Sequence, residues 1–201
     1  MAEQVVDQAA ALEALRRQVE QCHRCGLRDQ AHGVVFGEGD PTARIVFVGE
    51  GPGQEEDRLL RPFVGRAGQL LDKMLAAGGL DRFHGVYIVN VVKCRPPNNR
   101  TPTLDERKAC WPNLSAQLRI LSPNIVVLLG ATAVQTLLGI SRVSQARGQW
   151  YERGGVWFRA TFHPAALLRN PSWKVGAWED LQAVIAKSQE LGAGGAQRQS
   201  T

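Results

Sequence analysis

Four short runs of the chain are dominated by apolar, mostly β-branched residues: Ile45–Val48, Val86–Val92, Asn124–Leu129 and Val156–Phe162. Runs that do not alternate with polar positions predict strands covered on both faces, the pattern of a parallel sheet. Between them the apolar spacing lengthens. Ala9, Leu12, Leu15, Val19 and Cys22 recur at helical intervals across Gln4–Gln21, and further helices are predicted over Gln69–Ala77, Leu104–Leu121, Ala131–Leu138 and Lys174–Leu191. Pro112 is expected to interrupt or kink the third of these five helices, and Val34–Phe36 reads as one more short strand. Strands alternating with helices predict an α/β fold built as a parallel sandwich. No internal repeat or linker divides it, so residues 1–191 read as one domain. Residues 192–201, small and polar, read as a disordered tail.

Composition narrows the class. The 201 residues suffice for one sizeable core, and 44% hydrophobic with 21% charged residues describe an ordinary globular protein. A formal charge of +5 is compatible with a polyanionic partner. Glu3 and Asp7 precede any apolar stretch, which argues against a signal peptide, and no run reaches the ~18 apolar residues of a membrane span. These features predict a cytoplasmic protein, where the four cysteines stay reduced and serve as metal ligands rather than disulfides.

The chemistry gathers at the ends of the runs. After Val48 come Gly49, Glu50, Gly51, Pro52 and Gly53, a sharp turn whose glycines let the backbone approach a ligand closely. It is neither a dinucleotide fingerprint, since Gln54 stands where the third glycine belongs, nor a phosphate-binding Walker loop, which needs Gly-Lys-Ser/Thr. Asn90 lies near the end of the second run and His163 follows the fourth. Parallel sheets bind ligands beyond the carboxyl ends of their strands, so Glu50, Asn90 and His163 should converge on one rim. Cys22 and Cys25 form a close pair, while Cys94 and Cys110 are separated by fifteen intervening residues. A zinc ribbon normally has two close pairs. Four thiolates with this uneven spacing suit a [4Fe–4S] cluster, with zinc as the competing occupant.

The combination Cys22-x2-Cys25, Gly49-Glu50-Gly51-Pro52-Gly53, Asn90-Val91-Val92-Lys93-Cys94-Arg95-Pro96-Pro97, Cys110 and His163-Pro164-Ala165 closely resembles the family 4 uracil-DNA glycosylases, iron–sulfur enzymes of the uracil-DNA glycosylase superfamily. The resemblance runs from about Cys22 to Gln189. It implies a three-layer sandwich with a central four-stranded parallel sheet flanked by helices, and a [4Fe–4S] cluster on Cys22, Cys25, Cys94 and Cys110. The implied reaction is hydrolysis of the bond between uracil and deoxyribose in double- or single-stranded DNA by a monomer, leaving an abasic site.

The same resemblance assigns roles within the site. Phe63 stacks on the flipped base, Asn90 reads its edge, Gly51 and Pro52 lend backbone contacts, and Glu56 blocks the methyl group of thymine. His163 steadies charge on O2. Glu50 either orients water or holds the loop. Leu167 or Leu168, followed by Arg169, wedges into the vacated stack, and Arg95, Arg100 and Lys174 are further candidate phosphate contacts. The rival from a different class is a non-catalytic or trapping uracil-DNA-binding protein stabilised by a metal cluster. A trapping relative carries a nucleophilic His in a long insertion, whereas the loop Arg95–Pro102 has no His.

Overall fold

The computed structural model describes residues 2–197, with side chains from 7 to 192. Its centre is a six-stranded sheet in the order β1-β3-β2-β4-β6-β5. The strands are β1 (Glu38–Gly39), β2 (Ile45–Gly49), β3 (Val86–Asn90), β4 (Ile125–Leu129), β5 (Trp150–Arg153) and β6 (Val156–Thr161). The four inner strands β3, β2, β4 and β6 pair in parallel and correspond to the four apolar runs; β1 and β5 add antiparallel edges.

Alternation along each inner strand sends side chains to two layers of helices. Val46, Val48, Val126 and Leu128 pack with Leu12 and Val19 of α1 (Ala2–Glu20), Leu114 and Leu121 of α4 (Leu104–Leu121), and Val134 of α5 (Ala131–Leu138). Ile45, Phe47, Val127 and Leu129 pack with Leu71 and Leu75 of α3 (Arg66–Ala77) and with Leu181 and Val184 of α8 (Lys174–Gln197). The result is the expected three-layer sandwich. Short helices α2 (Gln54–Leu59), α6 (Val143–Ala146) and α7 (Pro164–Arg169) shape the rim. No helix of the described residues is long and apolar enough to cross a membrane.

The departures from expectation have physical causes. Val34–Phe36 is buried and extended but forms no strand, because its neighbour is an irregular segment: Val35 N–H bonds Lys93 C=O at 2.8 Å. The ladder forms instead at Glu38–Gly39. Strand β5 is an added edge, joined to β6 by Gly154 (φ 58°) and Gly155 (φ 79°), a two-residue hairpin turn that needs left-handed backbone. Pro112 does not divide α4, since Leu114, Gln117 and Leu121 hold the helix against the sheet on the far side of it. A reciprocal Thr103–Glu106 capping box starts that helix. The last helix runs past Gly192 to Gln197, and residues 198–201 of the expected tail lie outside the described residues.

Chain order places the site. From β2 the chain adds β3 on one side, then crosses to add β4 on the other. Such a switch point opens a crevice beyond the strand ends, where open α/β sheets bind ligands.

Candidate active site

Every strand-end residue singled out in the sequence lines a single cleft of about 1020 Å³. Glu50, Gly51, Pro52 and Gly53 enter it after β2, Asn90 at the end of β3, and His163 after β6; Glu56, Phe63 and Arg169 line it as well. The Glu50 carboxylate accepts a hydrogen bond from Thr132 Oγ1 in the first turn of α5. That bond joins the loop after β2 to the loop after β4, directly across the switch point.

Asn90 is 2% exposed, and its Oδ1 is buried without a hydrogen-bond partner. An unpaired buried acceptor costs about 1–3 kcal/mol, so this atom is prepared for a donor that the folded chain does not supply. Its backbone C=O accepts from Lys93 Nζ at 2.9 Å. Lys93 is fully buried, and burial pushes its ammonium down to about 8, with the Cys110 thiol acting in the opposite direction.

Phe63 sits at φ 52°, in the left-handed region, and its ring centroid is 5.5 Å from that of His163 at 31°. Four neighbours hold this conformation. Arg82 donates to Phe63 C=O at 2.7 Å and Pro62 C=O at 3.2 Å. Glu56 Oε1 accepts from Val64 N–H at 2.9 Å and Gly65 N–H at 2.8 Å. A Cβ on Gly68 would lie 1.8 Å from Phe63 O, and one on Gly49 would lie 2.5 Å from both Asn90 Oδ1 and the Phe63 ring. These two glycines are required by close approach. Glu56 therefore lines the cleft and also ties down the aromatic loop.

His163 caps α7: its Nδ1 accepts from Ala165 N–H at 3.2 Å. The neutral ring then carries its proton on Nε2. Burial, reinforced by the charge of Arg169, pushes its pKa down to about 4. The ring is thus a neutral Nε2–H donor at physiological pH.

The remaining predicted residues divide. Within α7, Leu167 is fully buried whereas Leu168 is 38% exposed, so of the two only Leu168 is open at the surface. Arg100 is engaged by Glu106 at 2.6 and 2.8 Å, and Arg95 Nε bonds Asn99 Oδ1 at 2.7 Å. Lys174 is not among the lining residues. Thr132, Arg82 and Asn99, which also lines the cleft, were not found in the sequence. Thr132 had a visible signal, since it closes the Gly130-Ala131-Thr132 turn after a strand run. Arg82 had none, because a loop arginine ordinarily reads as a solvated charge.

Cys22, Cys25, Cys94 and Cys110 are free thiols lining one small, largely apolar cavity on the α1–α4 side of the sheet. Asn113, one turn after Cys110 on α4, directs its amide to Cys22 Sγ at 3.7 Å and Cys110 Sγ at 3.9 Å. Burial and the neighbouring thiols, Cys110 first, push Cys94 up to about 12. Among the described residues no three Cys, His, Asp or Glu side chains are grouped so as to hold one metal ion; the four thiols stand around the cavity rather than on a point.

Comparison with known proteins agrees with this geometry. Residues 36–182 match the family model of the uracil DNA glycosylase superfamily. The chain is 50% identical over 166 residues to a type-4 uracil-DNA glycosylase of Thermotoga maritima, covering 80% of this chain and 85% of that protein. It is 44% identical to one from Archaeoglobus fulgidus, covering 90% and 93%. A third, from Sulfurisphaera tokodaii, is 41% identical, covering 87% and 83%.

Proposed function

The chain belongs to the uracil DNA glycosylase superfamily and, within it, to the type-4 uracil-DNA glycosylases, and on that premise we propose that its strand-end cleft takes a uracil flipped out of DNA and hydrolyses its bond to deoxyribose, as a DNA-repair enzyme. The observation that carries this reading is the buried, unpartnered Oδ1 of Asn90. Uracil offers N3–H as a donor to that oxygen and O4 as an acceptor for the Asn90 amide. Phe63 provides the stacking face, and Gly51 and Pro52 the close backbone. Glu56 occupies the cleft wall where the methyl group of thymine would press.

The reaction breaks the C1′–N1 bond. Its electron pair goes to the base, with charge gathering on O2, and the sugar takes on oxocarbenium character. Nε2–H of His163 donates to O2, a stabilisation that grows as the bond breaks. Water adds to C1′ and gives up a proton, which the uracil anion takes up through solvent, leaving a free base and an abasic site. Glu50, held by Thr132, orients that water. Leu168 is the wedge that fills the vacated stack, with Arg169 beside it on the phosphates. One chain supplies every residue named, so the reading needs no second subunit, and both double- and single-stranded DNA satisfy it.

Cys22, Cys25, Cys94 and Cys110 are the proposed ligands of a [4Fe–4S] cluster. A single tetrahedral zinc ion held by the same four thiolates is the competing occupant. When bound, such a cluster supplies metal–thiolate bonds, and here these staple α1 to α4 and to the segment after β3. Free cysteines also suit a reducing compartment such as the cytoplasm.

No lysine stands at the strand-end positions, and Lys93 faces away toward the cysteines, so the proposed enzyme lacks the amine a Schiff-base mechanism needs. Incubation with a uracil-containing oligonucleotide should give alkali-labile abasic sites and free uracil without strand cleavage. Tight binding with no uracil released would favour the non-catalytic alternative, and a borohydride-trapped adduct would refute the hydrolytic route.

A further inference from the structure

Phe162, the residue before His163, lines the active-site cleft, and so does Trp173 eleven residues later. Their rings stack, with centroids 4.7 Å apart and planes at 24°. The Arg147 guanidinium lies over the Phe162 ring at 4.9 Å. Arg147 is itself fixed by Asp180 at 3.0 Å and by Gly176 C=O at 2.6 Å. Asp180 is 1% exposed and also holds Arg159 at 2.9 Å. A buried ion-pair network therefore backs a column of Arg147, Phe162 and Trp173 whose outermost ring is 43% exposed.

We propose that Trp173 is a second stacking site in the cleft, taking a base of the substrate strand that flanks the flipped uracil. Four observations meet there. The ring lines the same continuous cleft as Asn90 and His163. It stacks on Phe162, the residue before His163, so its distance from the base pocket is set by rigid structure rather than by a loose surface side chain. It presents an open aromatic face, and base–aromatic stacking is tolerant of sequence because every base has such a face. Arg142 and Arg169 line the same cleft, and among the described residues neither side chain is engaged in a hydrogen bond or ion pair, which leaves both for phosphates. A flanking base is already stacked in an intact duplex, so Trp173 acts chiefly on single-stranded uracil-DNA.

This inference rests on the reading of the cleft as the uracil site, and the test separates the two. Dissociation constants would be measured for single-stranded oligonucleotides carrying a non-hydrolysable 2′-fluoro-deoxyuridine. An abasic spacer would replace each flanking base in turn, with the wild-type protein and with Trp173→Leu, Trp173→Ala and Trp173→Phe. Trp173→Leu keeps an apolar side chain on Phe162 but has no π face. It should weaken binding of the intact oligonucleotide by about tenfold, and by less than about twofold once one particular flanking base is missing. Trp173→Ala should behave likewise and Trp173→Phe should restore most of the affinity. Equal losses with and without each flanking base, or wild-type binding by Trp173→Leu, would overturn the proposal. Discrimination of uracil from cytosine by Asn90→Ala is measured alongside: its loss is expected. Its retention would overturn the reading of the cleft and this inference with it.

Discussion

Replacing His163 by alanine should slow uracil release by about 10²–10³-fold, the size typical of losing one donor to a developing oxyanion, while DNA affinity changes far less. The expectation follows from the proton on the ring. Nδ1 is occupied by Ala165 N–H, so the neutral imidazole donates through Nε2. That donor matters most when charge has moved to O2, and so it affects the chemical step more than binding. Single-turnover rates at saturating enzyme separate the two.

The same environment predicts pH behaviour. With a pKa held down to about 4 by burial and Arg169, His163 stays neutral well below the ~6.5 of a free histidine. The chemical rate should therefore show no acid limb at the ordinary histidine position. Between about 6.5 and 4 the unfolded chain binds a proton at this residue that the folded chain does not. The stability contribution of a neutral His163 is thus complete above about 6.5 and is lost as pH falls toward 4. Chemical denaturation across this range should show that slope in the wild type and a shallower one in His163→Ala.

Cys110→Ala should lose the proposed iron–sulfur cluster and, with it, much of the stability of the fold. Cys22 and Cys25 follow α1, Cys94 follows β3, and Cys110 is buried on α4, so the four ligands join segments distant in sequence. Binding free energy at such a site is folding free energy. A loss of only about 4 kcal/mol would lower the melting temperature of a chain this size by roughly 8–16 °C. The effect should also reach the base pocket, because Lys93, beside Cys94, donates to the backbone of Asn90. Iron content, the broad visible absorption of thiolate-bound iron and thermal melting provide the readout. Full iron with an unchanged melting temperature would remove Cys110 from the ligand set, and a colourless wild-type protein would favour zinc.

The parts of the site legible in the sequence were those that depend on local order. Glu50 and His163 lie just beyond the ends of apolar runs and Asn90 near the end of one, so a parallel sheet had to bring them to one rim. What depends on folded geometry was not legible. Leu167 and Leu168 are adjacent, and only the phase of α7 sends the first into the core and the second to the surface. Arg82 holds the carbonyl of Phe63 although it stands nineteen positions away. The left-handed backbone of Phe63 became visible only with Gly68 packed against it. Strand β5 was missed because Trp150–Arg153 is a short, partly exposed edge, although the following pair of glycines is a hairpin signal.

The central claim is that Asn90 reads the base, and Asn90→Asp tests it most directly. An ionised aspartate repels O4 of uracil but accepts from N4 of cytosine, and when protonated it also donates to cytosine N3. Abasic-site formation would be measured in matched oligonucleotides containing uracil or cytosine across a pH series. The account predicts loss of most uracil cleavage and weak new cleavage at cytosine that strengthens at lower pH. Uracil cleavage by Asn90→Asp at the wild-type rate would contradict it.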